Sequence, residues 1–203
     1  MQCGALFIDT LLLIMRTFFL LLALFIVSPV IHAQTDTSLR AMNEREIELY
    51  RQIMEYRSKK RLKSIPVSSS LTKVAQCHVR DLNNYPPAKK CGMHSWSENG
   101  PWKPVCYDAA RNGPELMWSK PSELTSYIGR GYENSFWTTD TSFRAEDALA
   151  AWKSSPPHNS VIINLGMWKD SKWKAIGLAA EGNYAVVWFG ENEDPAGNID
   201  LPE

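Results

Sequence analysis

The sequence predicts an α+β fold in which helices cover both faces of a small antiparallel sheet. Three amphipathic helical patterns come first in the chain, and two strand patterns, at 173–180 and 184–190, come last. Glu181-Gly182-Asn183 between the strands is a good hairpin turn. The apolar runs of both strands are too continuous for a sheet with one face in water, so we expect helices on each side.

The start of the 203-residue chain has the pattern of a leader, and the remainder is long enough for one ordinary domain. Residues 11–31 are almost entirely apolar, and the small residue Ala33 is followed by a polar stretch. We therefore predict a secretory signal peptide over residues 1–33 and a secreted or periplasmic protein. The alternative is an uncleaved transmembrane anchor, because about 20 apolar residues can span a bilayer.

The overall charge argues against two classes of partner. The chain has 22 Lys and Arg against 22 Asp and Glu, which gives a net charge of zero. It therefore lacks the basic excess that is typical of nucleic-acid binding or of docking on anionic membranes. We expect membrane contact only through the leader, if the leader is not cleaved.

Three cysteines follow the leader: Cys77, Cys91 and Cys106. Cys91 and Cys106 flank a loop rich in Gly, Pro and Trp that has little else to hold it, and export permits a disulfide, so we predict that these two are bonded. Cys77 would then be a small, half-buried apolar residue on a helix. A bridge between Cys77 and Cys91 is one alternative; a cysteine metal site is another, although no CxxC spacing supports it.

Two helices open the domain after a flexible segment at 34–42. Asn43 and Glu46 form a capping-box pattern for the first helix, which has about four turns. Ser68-Ser69-Ser70 is a good N-cap for the second, LTKVAQCHVRDL. The apolar face of this second helix contains His78, which we interpret as a hydrogen-bonded core histidine rather than a ligand.

A long loop follows the second helix. The segment 83–114 is dense in Pro, Gly, Asn and Trp and has no sustained period. A loop of this length inside a compact domain is usually functional or stapled. It contains His94 beside Ser95, and after short helical turns at 115–125 a glycine-rich turn is followed directly by Glu133.

The third helix has Trp152 on its buried face and a serine or threonine at 141–142 that can cap it. Ser155-Pro156-Pro157 ends this helix and begins another, because proline is tolerated in a first helical turn but not in a helix interior. His158 therefore lies in the first turn of a short helix. The tail after Asp194 is turn-rich, and we expect it to fray.

Several pieces of the chain point to one family when they are taken together in this order. They are LTKVAQCHVRDL, His94-Ser95, Gly131-Tyr132-Glu133-Asn134, Ala151-Trp152-x-x-Ser155-Pro156-x-His158-Asn159 and the two closing strands. They resemble the CAP superfamily, or SCP domain, which groups cysteine-rich secretory proteins, antigen 5 and plant pathogenesis-related proteins. Its bacterial members look most similar. The resemblance covers residues 43–196, leaves 197–203 as a C-terminal tail, and implies a three-layer α-β-α sandwich.

The resemblance also implies a site. Family members commonly place two His and two Glu in a central cleft that can bind a divalent metal, and His94, Glu133 and His158 match three of these four positions. The fourth is Ser155 here, and Glu98 is the fallback for Glu133. Two imidazoles and a carboxylate are a normal ligand set for Zn²⁺ and leave one position open. Without metal, the same groups could form a general base with its orienting acid.

From this resemblance we expect a binding module without enzymatic activity, whose cleft takes a divalent metal, a small molecule, a lipid or an extracellular macromolecule. Tryptophans in the loops offer contact surfaces, or else cover a small core. One alternative is a hydrolase in which His94 or His158 is the base and Ser95 or a metal-activated water is the nucleophile. Another is a structural extracellular module with a vestigial cleft, which the serine at position 155 favours.

Overall fold

Helices pack on both faces of a three-stranded sheet in the computed structural model, which describes residues 37–108 and 114–202. The signal peptide predicted for residues 1–33 lies outside the described residues. The helices are α1 (Glu44–Lys59), α2 (Ser69–Asn84), α3 (Glu115–Trp118), α4 (Lys120–Leu124), α5 (Ala145–Ser154) and α6 (Pro156–Ile162), with a 3-10 turn at Gly166–Trp168. The strands are β1 (Gly131–Trp137), β2 (Ala175–Glu181) and β3 (Tyr184–Gly190).

The sheet is antiparallel throughout, with the order β1-β3-β2. The predicted hairpin is confirmed as β2 and β3, joined at Gly182, which has a positive φ of 55°. The sequence pattern does not predict strand β1, since its segment has only the features of a turn followed by an acid. The strand pairs with β3 in a register that sets Glu133 opposite Trp188. The glycine-rich turn thus leads into the edge strand that carries the acid.

Two separate core clusters on the two faces of the sheet confirm the three-layer arrangement. Residues alternate between the faces along each strand. One set, including Ile176 and Val187, packs with α1, α5 and α6. The other set, including Ala179 and Trp188, packs with α2 and the long loop. Helix α2 lies so close to β2 that a Cβ at Gly177 would come within 2.1 Å of the backbone of Leu71.

The predicted caps are confirmed for α1 and α2 but not for α5. Asn43 forms the full capping box of α1, and the Ser68 side chain accepts from the first turn of α2. Helix α5 begins two or three residues later than a cap at 141–142 would place it, with Arg144 as N-cap residue. Ser142 bonds instead to Asp140, because its side chain closes a tight turn before the helix.

Both ends of the domain are tied to the core. Arg40, in the segment expected to be flexible, pairs at 2.7 Å with the buried Glu46. The tail was expected to fray, but the Ile199 amide donates to the Val67 carbonyl at 2.7 Å. Asp194 accepts hydrogen bonds from residues at the start of α2. Across residues 37–108 and 114–202, no helix has the length and apolar character needed to cross a membrane.

Candidate functional site

Glu133 is the centre of a hydrogen-bonded chain of side chains at the edge of the sheet. It lies in the middle of β1 and points to the α2 face, since its neighbours in the strand point to the other face. One carboxylate oxygen, Oε2, lies 2.5 Å from Nδ1 of His78, and the other, Oε1, lies 2.7 Å from Nδ1 of His94. The Glu133 side chain is fully buried. Burial alone would raise the pKa of its carboxyl group, but the two histidines outweigh burial and hold that pKa below 4.5.

His78 is the innermost member of this chain. Its side chain is fully buried on α2 and stacks on Trp96, with ring centroids 4.3 Å apart and planes 5° from parallel. Its second nitrogen, Nε2, lies 2.9 Å from the carbonyl oxygen of Ser95. Burial acts to lower the pKa of His78, but the adjacent Glu133 carboxylate prevails, and the pKa is raised above 6.5.

His94 is the outer partner of Glu133 and is partly exposed. An ionised carboxylate has no hydrogen to donate and acts only as an acceptor. Nδ1 of His94 therefore donates to Glu133. The His94 ring forms a T-shaped pair with the Tyr107 ring, with centroids 5.1 Å apart. Its remaining nitrogen, Nε2, is therefore the one that a ligand can use.

The loop that carries His94 is held in three ways. The predicted disulfide between Cys91 and Cys106 is confirmed, which excludes the alternative bridge to Cys77. Cys77 is fully rather than half buried, because sheet and loop cover both sides of α2. The Gly92 amide also donates to the Tyr107 carbonyl, and Trp96 pairs with Val105 through two backbone hydrogen bonds. This bracing fixes the position from which His94 meets Glu133.

His158 reaches the same place from the other side of β1. It lies in the first turn of α6, and its carbonyl accepts a hydrogen bond from the Asn134 side chain at 2.9 Å. Nδ1 of His158 lies 2.7 Å from the Ser155 hydroxyl. Its ring centroid is 6.3 Å from that of His94. Burial, with a smaller effect from His94, lowers the pKa of His158 below 6.5 and so favours the neutral imidazole.

His94, Glu133 and His158 thus lie together at the sheet edge, although they are far apart in the sequence. The fallback acid Glu98 is exposed, and Glu133 supplies the carboxylate. The hydroxyl of Ser95, the candidate nucleophile, is buried and accepts from the Tyr107 amide. Ser155, which stands at the position of the family's second acid, instead contacts His158.

The side chains at this site fit a cation bound by His94 and His158 alone better than a cation that is also bound by Glu133. Among residues 37–108 and 114–202, no group of three or more His, Cys, Asp or Glu is arranged to hold a metal ion. Both oxygens of Glu133 already face histidine nitrogens. Zn²⁺ binds imidazole at about 2.0–2.1 Å, so a tetrahedral ion shared by two imidazoles would set their ring centroids about 5 Å apart. The rings of His94 and His158, with centroids 6.3 Å apart, would have to close by about 1 Å to share such an ion.

Sequence reasoning missed the part of His78 in the site. It predicted a hydrogen-bonded core histidine, and His78 is indeed buried and bonded, but its partner is the site acid. The sequence feature that could have revealed this role is the position of His78 on the face of α2 that packs against the sheet. The tryptophans divide between the two expectations. Trp96 and Trp102, in the long loop, cover the core, whereas Trp137, at the end of β1, is half exposed.

The family model for CAP, described as the cysteine-rich secretory protein family, matches residues 50–188, more than half of the chain. Among solved structures, an outer surface protein from Borrelia burgdorferi is similar, with 18% sequence identity and a TM-score of 0.48, over 72% of this chain and 92% of that one. A cysteine-rich secretory protein from Staphylococcus aureus has 16% identity and a TM-score of 0.49; the match covers 76% of this chain but only 41% of that one. No curated protein sequence matches. The match over residues 50–188 shows that this chain belongs to the CAP, or cysteine-rich secretory protein, family.

Proposed function

We propose that this protein is an exported binding module, and that its ligand is a divalent cation such as Zn²⁺ held by His94 and His158. One observation supports this most strongly. Nδ1 of each ring already has a hydrogen-bond partner, Glu133 for His94 and Ser155 for His158, and within residues 37–108 and 114–202 no hydrogen bond occupies Nε2 of either ring. Histidine ligands in metal sites are commonly oriented in this way through their second nitrogen.

In this proposal Glu133 orients a ligand and is not a ligand itself. Its oxygens are committed to two histidine nitrogens, so using one for metal would break a buried hydrogen bond. Two protein ligands leave two tetrahedral positions of Zn²⁺ open for small molecules or a partner's side chain. The bound ion would supply a positive charge at the edge of the sheet beside β1, and the module would act by recognition.

The ionisation of His158 supports cation binding near neutral pH. A metal binds the neutral imidazole, and protons compete with it. The lowered pKa of His158 keeps this ring neutral over a wider range of pH than an ordinary histidine. Export is supported by the predicted signal peptide and by the disulfide between Cys91 and Cys106, a bond that persists in oxidising compartments.

Calorimetric titration of metal-free protein with ZnCl₂ tests this function. We expect one site in the wild type, and loss of at least tenfold in affinity in both His94→Ala and His158→Ala. Glu98→Gln is the matched control, because Glu98 is an exposed acid in the same loop, and its affinity should equal that of the wild type. Absence of zinc binding in the wild type would contradict the proposal and favour a structural module.

A second candidate function, hydrolysis, is favoured by the 2.7 Å contact between Glu133 and His94. A carboxylate bonded to Nδ1 holds an imidazole in the tautomer whose Nε2 can accept a proton, as a general base requires. The test is hydrolysis of a panel of ester and amide substrates by the wild type. Activity that disappears in His94→Ala would support this candidate, and an inactive wild type would remove it.

A further inference from the structure

His78 joins two parts of the site that come from different elements. One ring nitrogen contacts the Glu133 carboxylate on β1, and the other contacts the carbonyl of Ser95, the residue after His94. His78 itself is on α2, a helix packed against the sheet on its whole inner face. A single rigid ring thus spans the strand that supplies the acid and the loop that supplies the ligand.

The partners of His78 also determine its protons. A carbonyl oxygen can only accept a hydrogen bond, so Nε2 must carry a hydrogen to bond to Ser95. At Nδ1 the partner is a carboxylate oxygen at 2.5 Å, and this bond also contains a proton. Neutral imidazole has one N–H group, whereas two donors require the imidazolium ion. The pKa of His78 is raised and that of Glu133 is lowered, so the shared proton belongs to His78 and the two side chains form a buried ion pair.

The surroundings of His78 hold this pair in place. The ring lies against Trp96, and its centroid is 6.5 Å from that of Trp188 in a T-shaped arrangement. Two charged residues are near. Asp81, on the same helix, favours the protonated form of His78. The Lys120 ammonium lies over the Trp96 ring, 5.5 Å from its centroid. The ring is fully buried, so water does not compete for either nitrogen.

We propose that His78 is the positioning residue of the site, which fixes the Glu133 carboxylate so that Oε1 faces His94 and the Nε2 of His94 is left for the ligand. The effect of His78 on ligand affinity rests on the ligand-binding function proposed above, whereas its effect on the Glu133 carboxylate and on the His94 tautomer does not. Held at Oε2, the carboxylate cannot rotate away from His94. Nδ1 of His94 then carries the hydrogen, and a single tautomer is populated.

Two substitutions separate the two contacts of His78. The amide nitrogen of Asn can take the place of Nδ1, and that of Gln can take the place of Nε2. His78→Asn therefore keeps a donor toward Glu133, whereas His78→Gln keeps only the donor toward Ser95. Val74→Ala creates a cavity one turn before His78 on the same buried helix and removes neither of these hydrogen bonds, so it is the control for general loss of stability.

The first readout is the protonation of ring nitrogens in ¹⁵N NMR spectra at pH 7, which requires no metal. In the wild type we expect both nitrogens of His78 to be protonated and His94 to carry its hydrogen on Nδ1 alone. His78→Gln should give a mixture of His94 tautomers, while His78→Asn and Val74→Ala keep the single form. One unprotonated nitrogen on wild-type His78 would overturn the proposal, even if a variant failed to fold.

The second readout is Zn²⁺ affinity, which we expect to fall about 10-fold to 100-fold in His78→Gln, as for other residues that orient a metal ligand. His78→Asn should bind within about threefold of the wild type on the same grounds. Equal affinities for His78→Gln and the wild type would contradict the inference. If wild-type protein binds no zinc while the ring spectra are as expected, the proposed function fails and the positioning role of His78 stands.

Discussion

Replacement of Glu133 by Gln should destabilise the domain strongly. Both oxygens of the buried carboxylate accept from histidine nitrogens, at 2.5 and 2.7 Å. Gln offers one oxygen and one NH₂ group, so one imidazole N–H would face another donor. Removing one partner of a buried ion pair costs about 3–5 kcal/mol, because the other charge is left uncompensated. We therefore expect Glu133→Gln to lower the free energy of unfolding by about this amount.

The loss should depend on pH in a defined way. The stabilisation from Glu133, whose folded pKa is lowered, is complete above 4.5 and disappears as the pH falls through the folded pKa. The stabilisation from His78, whose folded pKa is raised, is complete below 6.5 and disappears as the pH rises through the folded pKa. The difference between wild type and variant should be largest between pH 4.5 and 6.5.

Urea unfolding followed by tryptophan fluorescence measures this difference, at about pH 5.5, inside the window, and at about pH 9, above it. Glu98→Gln removes an exposed acid from the long loop and should change stability by less than about 0.5 kcal/mol. A loss below about 1 kcal/mol for Glu133→Gln at the lower pH would refute the ion pair, since even one buried charged hydrogen bond contributes about 1.5–3 kcal/mol.

Three further predictions concern the frame around the site. Gly177→Ala should lower the free energy of unfolding, measured by thermal denaturation, by at least about 1–3 kcal/mol, because the added Cβ would overlap the backbone of α2. Gly92→Ala is the control and should be tolerated, since its added Cβ would have its nearest contact at 3.5 Å. Reduction of the disulfide between Cys91 and Cys106, separated by 15 residues, should lower the free energy of unfolding by about 3 kcal/mol. The measurement is the shift in denaturant midpoint, and no shift would contradict the stabilising role of the disulfide. His158 should titrate below 6.5 in NMR spectra, because burial disfavours its charged form, and a midpoint above that value would contradict this effect of burial.

The helices and the hairpin were predictable because their patterns are local. The capping box at Asn43 and Glu46 and the periodic apolar residues of α1 and α2 need no tertiary information. Strand β1 was not predictable in this way. Its central residues Glu133, Asn134 and Ser135 are polar yet buried, so the alternation that marks a half-exposed strand is absent.

The site was predictable only in part, and only through the family resemblance. That resemblance selected His94, Glu133 and His158, which the structure places together at the edge of β1. It gave no reason to include His78, since a histidine on the apolar face of a helix is usually a core residue. Its role depends on the register of β1 against β3 and on the packing of α2, and both are set by contacts distant in the sequence.

The tail and the segment near Arg40 make contacts that were not predictable, for a similar reason. Polar, turn-rich sequences are typical of frayed ends, but here single contacts hold them. Asp194 accepts from the side chains of Ser68 and Ser70 at the start of α2, and Arg40 neutralises Glu46 in the core. The pairing of Asp194 joins residues more than 100 positions apart. Arg40 and Glu46 are close in sequence, but Glu46 is buried because it also accepts a hydrogen bond from the distant Ala180 amide. No local pattern reveals either arrangement.

The most direct test of the proposed site is anomalous X-ray scattering at the zinc absorption edge, from crystals of wild-type protein grown with ZnCl₂. The proposal predicts one peak at about 2.0–2.1 Å from Nε2 of both His94 and His158, with Glu133 still bonded to Nδ1 of His94. No peak between these two rings, or a peak bound to a Glu133 oxygen, would contradict it.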